Sequence, residues 1–281
     1  GNRNPKVAQH AGKPFLRAIW NSLLLGACAA SVVLWGGGVQ ARDSAAIRAS
    51  GHINIGVEPG LPPLGKYDDH NALVGYDVDI GRAIAQGLGV EPRFVTLASS
   101  GRIPYLMAGK VDVVLGGLTR TPVRADVIAF SRPLYSEQFA VIAPADRGIA
   151  SFADLESGAH RLIEVRGSTA VAYLQQHAPK APMLLLESYA DAIRALAQGR
   201  GDAMVDVIEY VGHYLPSQPQ VHWRIIRGFA PPVGDDCIGM SEQDVALRAD
   251  VNRILDGMER DGRLEQIHRQ WFDPIGAGHA P

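Results

Sequence analysis

Leu162-Ile163-Glu164-Val165-Arg166-Gly167-Ser168-Thr169, continuing into an amphipathic stretch at 171–176, decides the fold, because a strand-then-helix rhythm that begins at Ile53 starts again here. Toward the N terminus, residues 53–57 have the apolar character of a strand. Residues 78–88 place Ile80, Ala83, Ile84 and Leu88 on one helical face, with Asp77 as the expected N-cap and Gly89 as the stop. Strands are predicted at 94–97, 111–115 and 139–142. Toward the C terminus the rhythm repeats, with a strand at 184–186, a helix at 190–197 and a strand at 203–207. Strands alternating with helices in this way imply parallel sheets covered by helices on both faces, an α/β fold. The strands are too many for one small sheet, so two sheets are predicted. The tail differs: Val245–Arg260 carries Val245, Leu247, Val251, Ile254, Leu255 and Met258 on roughly one helical face. Asp261-Gly262 stops that helix, a second is predicted at 264–271, and Asp273-Pro274 is the expected end of structure.

Composition restricts the function classes. The 281 residues are 47% hydrophobic and 20% charged, an ordinary globular mixture long enough for about two domains. There are 27 basic against 29 acidic residues, and the first 41 positions hold four of the basic ones (Arg3, Lys6, Lys13, Arg17) and none of the acidic, which leaves 23 against 29. A net-acidic body without a Lys/Arg run gives no electrostatic reason to track nucleic acid. The basic start is followed at 23–39 by an apolar run interrupted only by Ser31, and then by Val39-Gln40-Ala41, which suits a signal peptidase. Residues 1–41 are therefore expected to be a cleaved export signal and the product periplasmic. An uncleaved membrane anchor and lipidation at Cys28, after Leu25-Gly26-Ala27, are the alternatives. Once the leader is removed, Cys237 is the one thiol left, so no intrachain disulfide is expected and a small buried residue is predicted there.

Catalytic signatures are missing. The chain has no Gly-x-Ser-x-Gly elbow, no Gly-x-x-x-x-Gly-Lys-Ser/Thr phosphate loop, no His-Glu-x-x-His and no Cys-x-x-Cys. The histidines are scattered without metal-ligand spacing, so neither a metal nor a cofactor is expected. Glu58, Asp77, Asp79, Glu164 and Asp206 are carboxylates that a fold could bring together, with solvated or capping roles as the default.

Several strings, taken in order, carry a resemblance. They are Ile53-Asn54-Ile55-Gly56-Val57, Pro62-Pro63, Gly75-Tyr76-Asp77-Val78-Asp79-Ile80, Ile103-Pro104 through Gly109-Lys110-Val111-Asp112, Leu118-Thr119-Arg120-Thr121-Pro122 with Arg124, Phe130-Ser131-Arg132-Pro133, Gly167-Ser168-Thr169, Gly199-Arg200-Gly201-Asp202-Ala203, and Asp261-Gly262 with Trp271-Phe272. Together they resemble the solute-binding proteins of polar amino-acid ABC transporters. That resemblance implies a two-lobed periplasmic binding fold of type II whose chain crosses a hinge twice. Residues 42–141 and 236–281 are expected to form one lobe and 142–235 the other, with bends near 140–144 and 234–239.

The resemblance also implies a ligand cleft. Gly116-Gly117-Leu118-Thr119 follows a predicted strand at its carboxyl end, where open α/β sheets bind ligands, and the second glycine, Gly117, permits close backbone approach. Arg124 is, as a bare residue, either a surface arginine at a helix start or a guanidinium fork for a carboxylate; the matching arginine of the family clamps the ligand's α-carboxylate. Ser168 and Thr169 are either an ordinary N-cap or the second lobe's half of the site. Glu58, Leu61 and Asp206 complete the candidate set, and Leu118 is expected to be core. Three departures from the family stand out. Leu61 replaces an aromatic, Ala98-Ser99-Ser100 replaces another, and Val207 occupies the position of the family's ammonium-binding Asp, with Asp206 one residue early. Since side chains alternate across a strand, the slip turns Asp206 away from the cleft unless the strand ends or bulges there.

The function expected is a non-enzymatic, monomeric receptor that delivers an amino acid or related organic acid to a membrane permease. The alternatives are an enzyme on the same fold, of the kind that dehydrates cyclic carboxylates, and an accessory or sensor binding protein.

Overall fold

The computed structural model describes residues 42–276, so the expected leader, its cleavage after Ala41 and Cys28 lie outside the described residues. Two sheets organise the chain. The first has the strand order Glu91–Thr96, His52–Val57, Val113–Val114, Gly234–Met240, Ala129–Glu137. Its first three strands run parallel, whereas Gly234–Met240 runs antiparallel to both of its neighbours. In the second sheet Phe139–Pro144 lies between Met204–Val207 and Trp223–Ile226, antiparallel to each. Leu162–Val165 pairs in parallel with Met183–Leu186, and a parallel bridge from Leu162 to Ala203 joins this pair to the rest. The expectation of purely parallel sheets is corrected by this arrangement. A chain that leaves one lobe and later returns must run back against its outgoing strand, and Gly234–Met240 does so along Ala129–Glu137.

The two crossings are visible in the pairing. Ala129–Glu137 belongs to the first sheet and Phe139–Pro144 to the second, with Gln138 alone between them. The return lies at residues 227–233, between Trp223–Ile226 and Gly234–Met240. Residues 140–144 and 234–239, expected as the crossings, lie within strands, the second with its register shifting between Asp236 and Gly239. Phe139–Pro144 is buried along its whole length, which removes the alternation a sequence reading looks for.

Local chemistry explains the longer helices. Tyr76–Leu88 buries Tyr76, Ile80, Ile84 and Leu88, and Gly89 ends it in the left-handed region with φ of 73°. Asp77 is not its N-cap. That position is Gly75, where an added Cβ would lie 2.1 Å from Leu64 O, and Asp77 is free to reach across and accept from the Gly116 amide at 2.8 Å. Val245–Arg260 buries Leu247, Val251, Ile254, Leu255 and Met258, while Val245 is 73% exposed at the helix start. The last helix, Arg263–Gly276, runs past Asp273-Pro274, where structure was expected to stop. Leu118 and Cys237 lie fully buried with Leu106, Ile128 and Phe130 in a core cluster of the first lobe. Cys237 is a small core residue whose thiol is pushed up to about 12 by burial. Among the described residues no helix is long and apolar enough to cross a membrane.

Candidate functional site

The carboxyl end of the Val113–Val114 strand turns through Gly116 and Gly117, both with positive φ (86° and 65°), into Leu118 and Thr119. A Cβ on Gly117 would stand 3.3 Å from Leu61 and from Tyr210 Cε1, so the bare backbone of the first lobe here faces a tyrosine of the second. Thr119 is fully buried; its hydroxyl donates to Glu137 Oε2 at 2.6 Å and accepts from Thr169 Oγ1 at 3.0 Å. Thr121 caps the short Pro122–Ala125 helix by accepting from the Arg124 amide. This cap points the Arg124 side chain back across the cleft. Its Nη1 donates to Thr119 O at 2.8 Å and to Thr169 Oγ1 at 3.1 Å, and its Nη2 donates to Gly167 O at 3.0 Å. Burial and the neighbouring charge of Arg102 bring the Arg124 guanidinium down to about 10. An arginine in that position gains from any anion placed beside it.

The second lobe contributes the loop after Leu162–Val165. Ser168 stands at the N-terminal end of the Thr169–His177 helix, but its side chain makes no capping hydrogen bond. The residue is 6% exposed and its Oγ has no hydrogen-bond partner among the described residues. A buried hydroxyl at a helix N-terminus, close to unpaired amides and the positive end of the helix dipole, suits an anion.

Asp206 lies in the Met204–Val207 strand, paired in regular register with Ala140, and the chain turns into the Ile208–Val211 helix one residue beyond it. Asp206 Oδ1 accepts from Val207 N at 2.7 Å and from Tyr210 Oη at 3.3 Å, the same Tyr210 whose ring faces Gly117. Burial pushes its carboxyl up to about 7, against the Val207 and Tyr210 hydrogen bonds and the charge of Arg102. Behind it Glu164 accepts from Val205 N at 2.8 Å, and burial plus the Asp206 charge hold Glu164 well above the usual carboxylate range. Val207 is fully buried in the apolar core. Glu58 closes the first lobe's side: it is 4% exposed, accepts from Ser99 Oγ at 2.7 Å, and is raised by burial. Leu61 is buried in the cleft wall beside Gly117.

Of the eight sequence-selected residues, Thr119, Arg124 and Thr169 hydrogen-bond across the lobes and Gly117 faces Tyr210, while Glu58, Leu61, Ser168 and Asp206 make no hydrogen bond across them among the described residues. The reading missed Arg102, Tyr189, Tyr210 and Tyr214. Arg102 stands directly before the noted Ile103-Pro104 pair, and an arginine without context is read as solvent-exposed. Tyr210 and Tyr214 follow Asp206 closely in sequence, the first in the Ile208–Val211 helix and the second in the 3-10 turn Gly212–Ser217, and both rings pack on Tyr189 with centroids 5.7 and 6.3 Å away. Among the described residues no group of three or more His, Cys, Asp or Glu side chains is arranged to hold a metal ion.

Comparison with known proteins gives a consistent picture. A sequence profile of the bacterial extracellular solute-binding proteins, family 3, matches residues 53–274. ABC transporter arginine-binding protein 1 of Escherichia coli (strain K12) is 29% identical over 226 residues, covering 80% of this chain and 92% of that protein. The solute receptor for L-cysteine of Neisseria gonorrhoeae superimposes with a TM-score of 0.78 at 27% identity, over 85% of this chain and 98% of that one. An ancestral amino-acid-binding protein, described as a precursor of cyclohexadienyl dehydratase, superimposes with a TM-score of 0.74 at 28% identity, over 82% of this chain and 99% of that one.

Proposed function

Because the chain belongs to the bacterial extracellular solute-binding proteins, family 3, we propose that it is a receptor that captures a free amino acid outside the cytoplasm and passes it to the permease of an ABC transporter. The observation that carries this reading is the position of Arg124. Its guanidinium spans from Thr119 in the first lobe to Gly167 and Thr169 in the second, beside the unpartnered Ser168 hydroxyl. An α-carboxylate entering there meets a bidentate cation, two hydroxyls and a helix N-terminus. Asp206, with Tyr210 on its Oδ1, is the partner for the α-ammonium, since Val207 belongs to the core. Glu58, next to Ser99, faces the side chain and favours one that donates hydrogen bonds or carries positive charge. The relatives named above for arginine and L-cysteine agree with an amino-acid ligand.

In this reading residues 1–41 direct export, and the protein acts as a monomer with no chemistry on its ligand. Its lobes comprise residues 42–137 with 234–276, and residues 139–226. These boundaries follow the strand pairing and lie a few residues before the pattern breaks at 141 and 235.

One observation favours a second reading. Asp206, pushed up to about 7 by burial, is a carboxyl poised for general-acid work, and an amino-acid-binding precursor of a dehydratase shares the fold. Mass spectrometry of small molecules released from the protein purified out of its native compartment separates the two. An amino acid is the expected find; a cyclic carboxylate without an ammonium, turned over on incubation, would replace the receptor reading with the enzyme.

A further inference from the structure

Arg102 is a buried cation that the ligand site as proposed does not use. It is 3% exposed and starts the Arg102–Met107 helix directly after the tight Ser99–Gly101 turn. Among the described residues its guanidinium hydrogen-bonds carbonyls and no carboxylate. Nε donates to Ser99 O at 3.0 Å, Nη1 donates to Gly116 O and Gly117 O at 2.7 Å each, and Nη2 donates to Gly167 O at 3.0 Å. Three of these carbonyls belong to first-lobe loops and the fourth to the second lobe. Four backbone dipoles thus take the place of water around a desolvated charge, and one of them is supplied only when the lobes meet.

The Gly167 side of this contact is shaped to receive it. Gly167 has φ of 80°, and a Cβ there would lie 2.9 Å from Ser100 Cα and 3.0 Å from Ser100 N. Only a residue without a side chain brings this carbonyl down onto the Ser99-Ser100 turn. At the rim Ser100 Oγ donates to Glu187 Oε2 at 3.2 Å, a further bond between the lobes beside those that join Arg124 and Thr119 to Gly167 and Thr169. Neither the Arg102 bonds nor the Ser100 bond depends on the chemistry of the ligand.

We propose that Arg102 is a built-in latch: it ties the Gly116–Gly117 turn of the first lobe to the Gly167 carbonyl of the second, and so sets how far the lobes close without ligand and how long a captured ligand stays. Arg102 is a positioning residue here. It organises the backbone that faces the ligand and holds the lobes together through one carbonyl. The inference rests on the two-lobed fold and not on which ligand binds. A hydrogen bond from a charged donor is worth about ten- to a hundredfold in an equilibrium constant, which sets the scale for the shift in closed population.

The test uses ligand-free protein and approaches the latch from both lobes. Small-angle scattering is recorded for wild type, Arg102→Met, Gly167→Ala and the double variant. Arg102→Met is expected to enlarge the radius of gyration, Gly167→Ala, which also displaces the Arg124 bond to the Gly167 carbonyl, to enlarge it at least as much, and the double variant to add nothing to Gly167→Ala. An Arg102 that only packs the first lobe would loosen amide exchange at Gly116 and Gly117 without changing the radius. A wild-type radius in Arg102→Met, or additive changes in the double variant, overturns the latch. Should Arg102→Met fail to fold, the guanidinium NMR signals of Arg102 in wild type and Gly167→Ala decide. The expected result is that Gly167→Ala exposes the Nη2 protons to exchange and leaves Nε–H protected on Ser99 O; equal protection of Nη2 in both proteins, or its absence in both, refutes the proposal.

Discussion

Around Arg124 the cleft wall is assembled from both lobes, whereas the hydrogen bonds on Asp206 come from the second lobe, from Val207 N and Tyr210 Oη. The first arrangement exists only when the lobes meet. The second is complete in an isolated lobe, on a strand end and the helix that follows it. The contrast teaches that closure and charge recognition fall to different parts of the cleft. On the proposed reading, the Arg124 end converts binding into closure and the Asp206 end supplies the counter-charge, its protonation set by burial.

The largest effect is expected at the two-lobe end. Arg124→Ala should lower affinity for an amino-acid ligand by about 2 to 5 kcal/mol, a factor of about 30 to several thousand, because it removes one member of a desolvated charge pair. Arg124→Lys should recover little of it, since an ammonium lacks the planar fork. Titration calorimetry checks both, and near wild-type binding by the alanine variant would move the carboxylate elsewhere. Next in size is the one-lobe end. Asp206→Asn should cost about 1.5 to 3 kcal/mol for ligands bearing an α-ammonium, the scale of a hydrogen bond to a charged group. It should leave ammonium-free analogues unaffected.

The pH dependence sharpens the contrast. Burial holds the Asp206 carboxyl near 7 rather than at its ordinary 3.8, so between these values the native chain keeps a proton that the unfolded chain releases. Through this group, ligand-free stability should fall as pH rises from about 4 to 7, the opposite of a salt-bridged carboxylate. An ammonium ligand needs the deprotonated form, so its affinity should rise up to about tenfold per pH unit over the same range and level off above about 7. Isothermal titrations at several pH values, repeated with Asp206→Asn, check the slope, which the variant should abolish. The smallest effect is expected from Ser168→Ala. One neutral hydrogen bond to the ligand is lost, about 1 kcal/mol or some fivefold in affinity, with the thermal midpoint of ligand-free protein unchanged.

Much of this fold was legible because apolar spacing follows burial directly. Leu162–Val165 and Val245–Arg260 stand where the sequence pattern puts them, since one is wholly buried and the other buries one helical face. Ala129–Glu137 and Gly234–Met240 escaped because their registers shift at Asp236, Cys237 and Gly239, and because Arg132, Pro133, Asp235 and Asp236 interrupt the alternation. These strands carry the chain between lobes, and irregular pairing hides them from a period-two search. In the site, Thr119, Arg124, Ser168 and Thr169 were picked out by the strings that carry the family resemblance; as bare residues Arg124 reads equally as a helix-start arginine and the Ser-Thr pair as an N-cap. Arg102 was not picked out, since its burial depends on carbonyls at Gly116, Gly117 and Gly167 that only the fold brings to it. Asp206 lay between the two cases, because its direction depended on where one strand ends.

The most direct test of the account is a calorimetric comparison of each amino acid with its 2-oxo and 2-hydroxy analogues, on wild-type protein and on Asp206→Asn. The account predicts that wild type binds an amino acid far more tightly than either analogue, and that Asp206→Asn removes most of the difference. Equal or tighter binding of the oxo acid, unchanged by Asp206→Asn, would contradict it and make this a receptor for an unaminated acid.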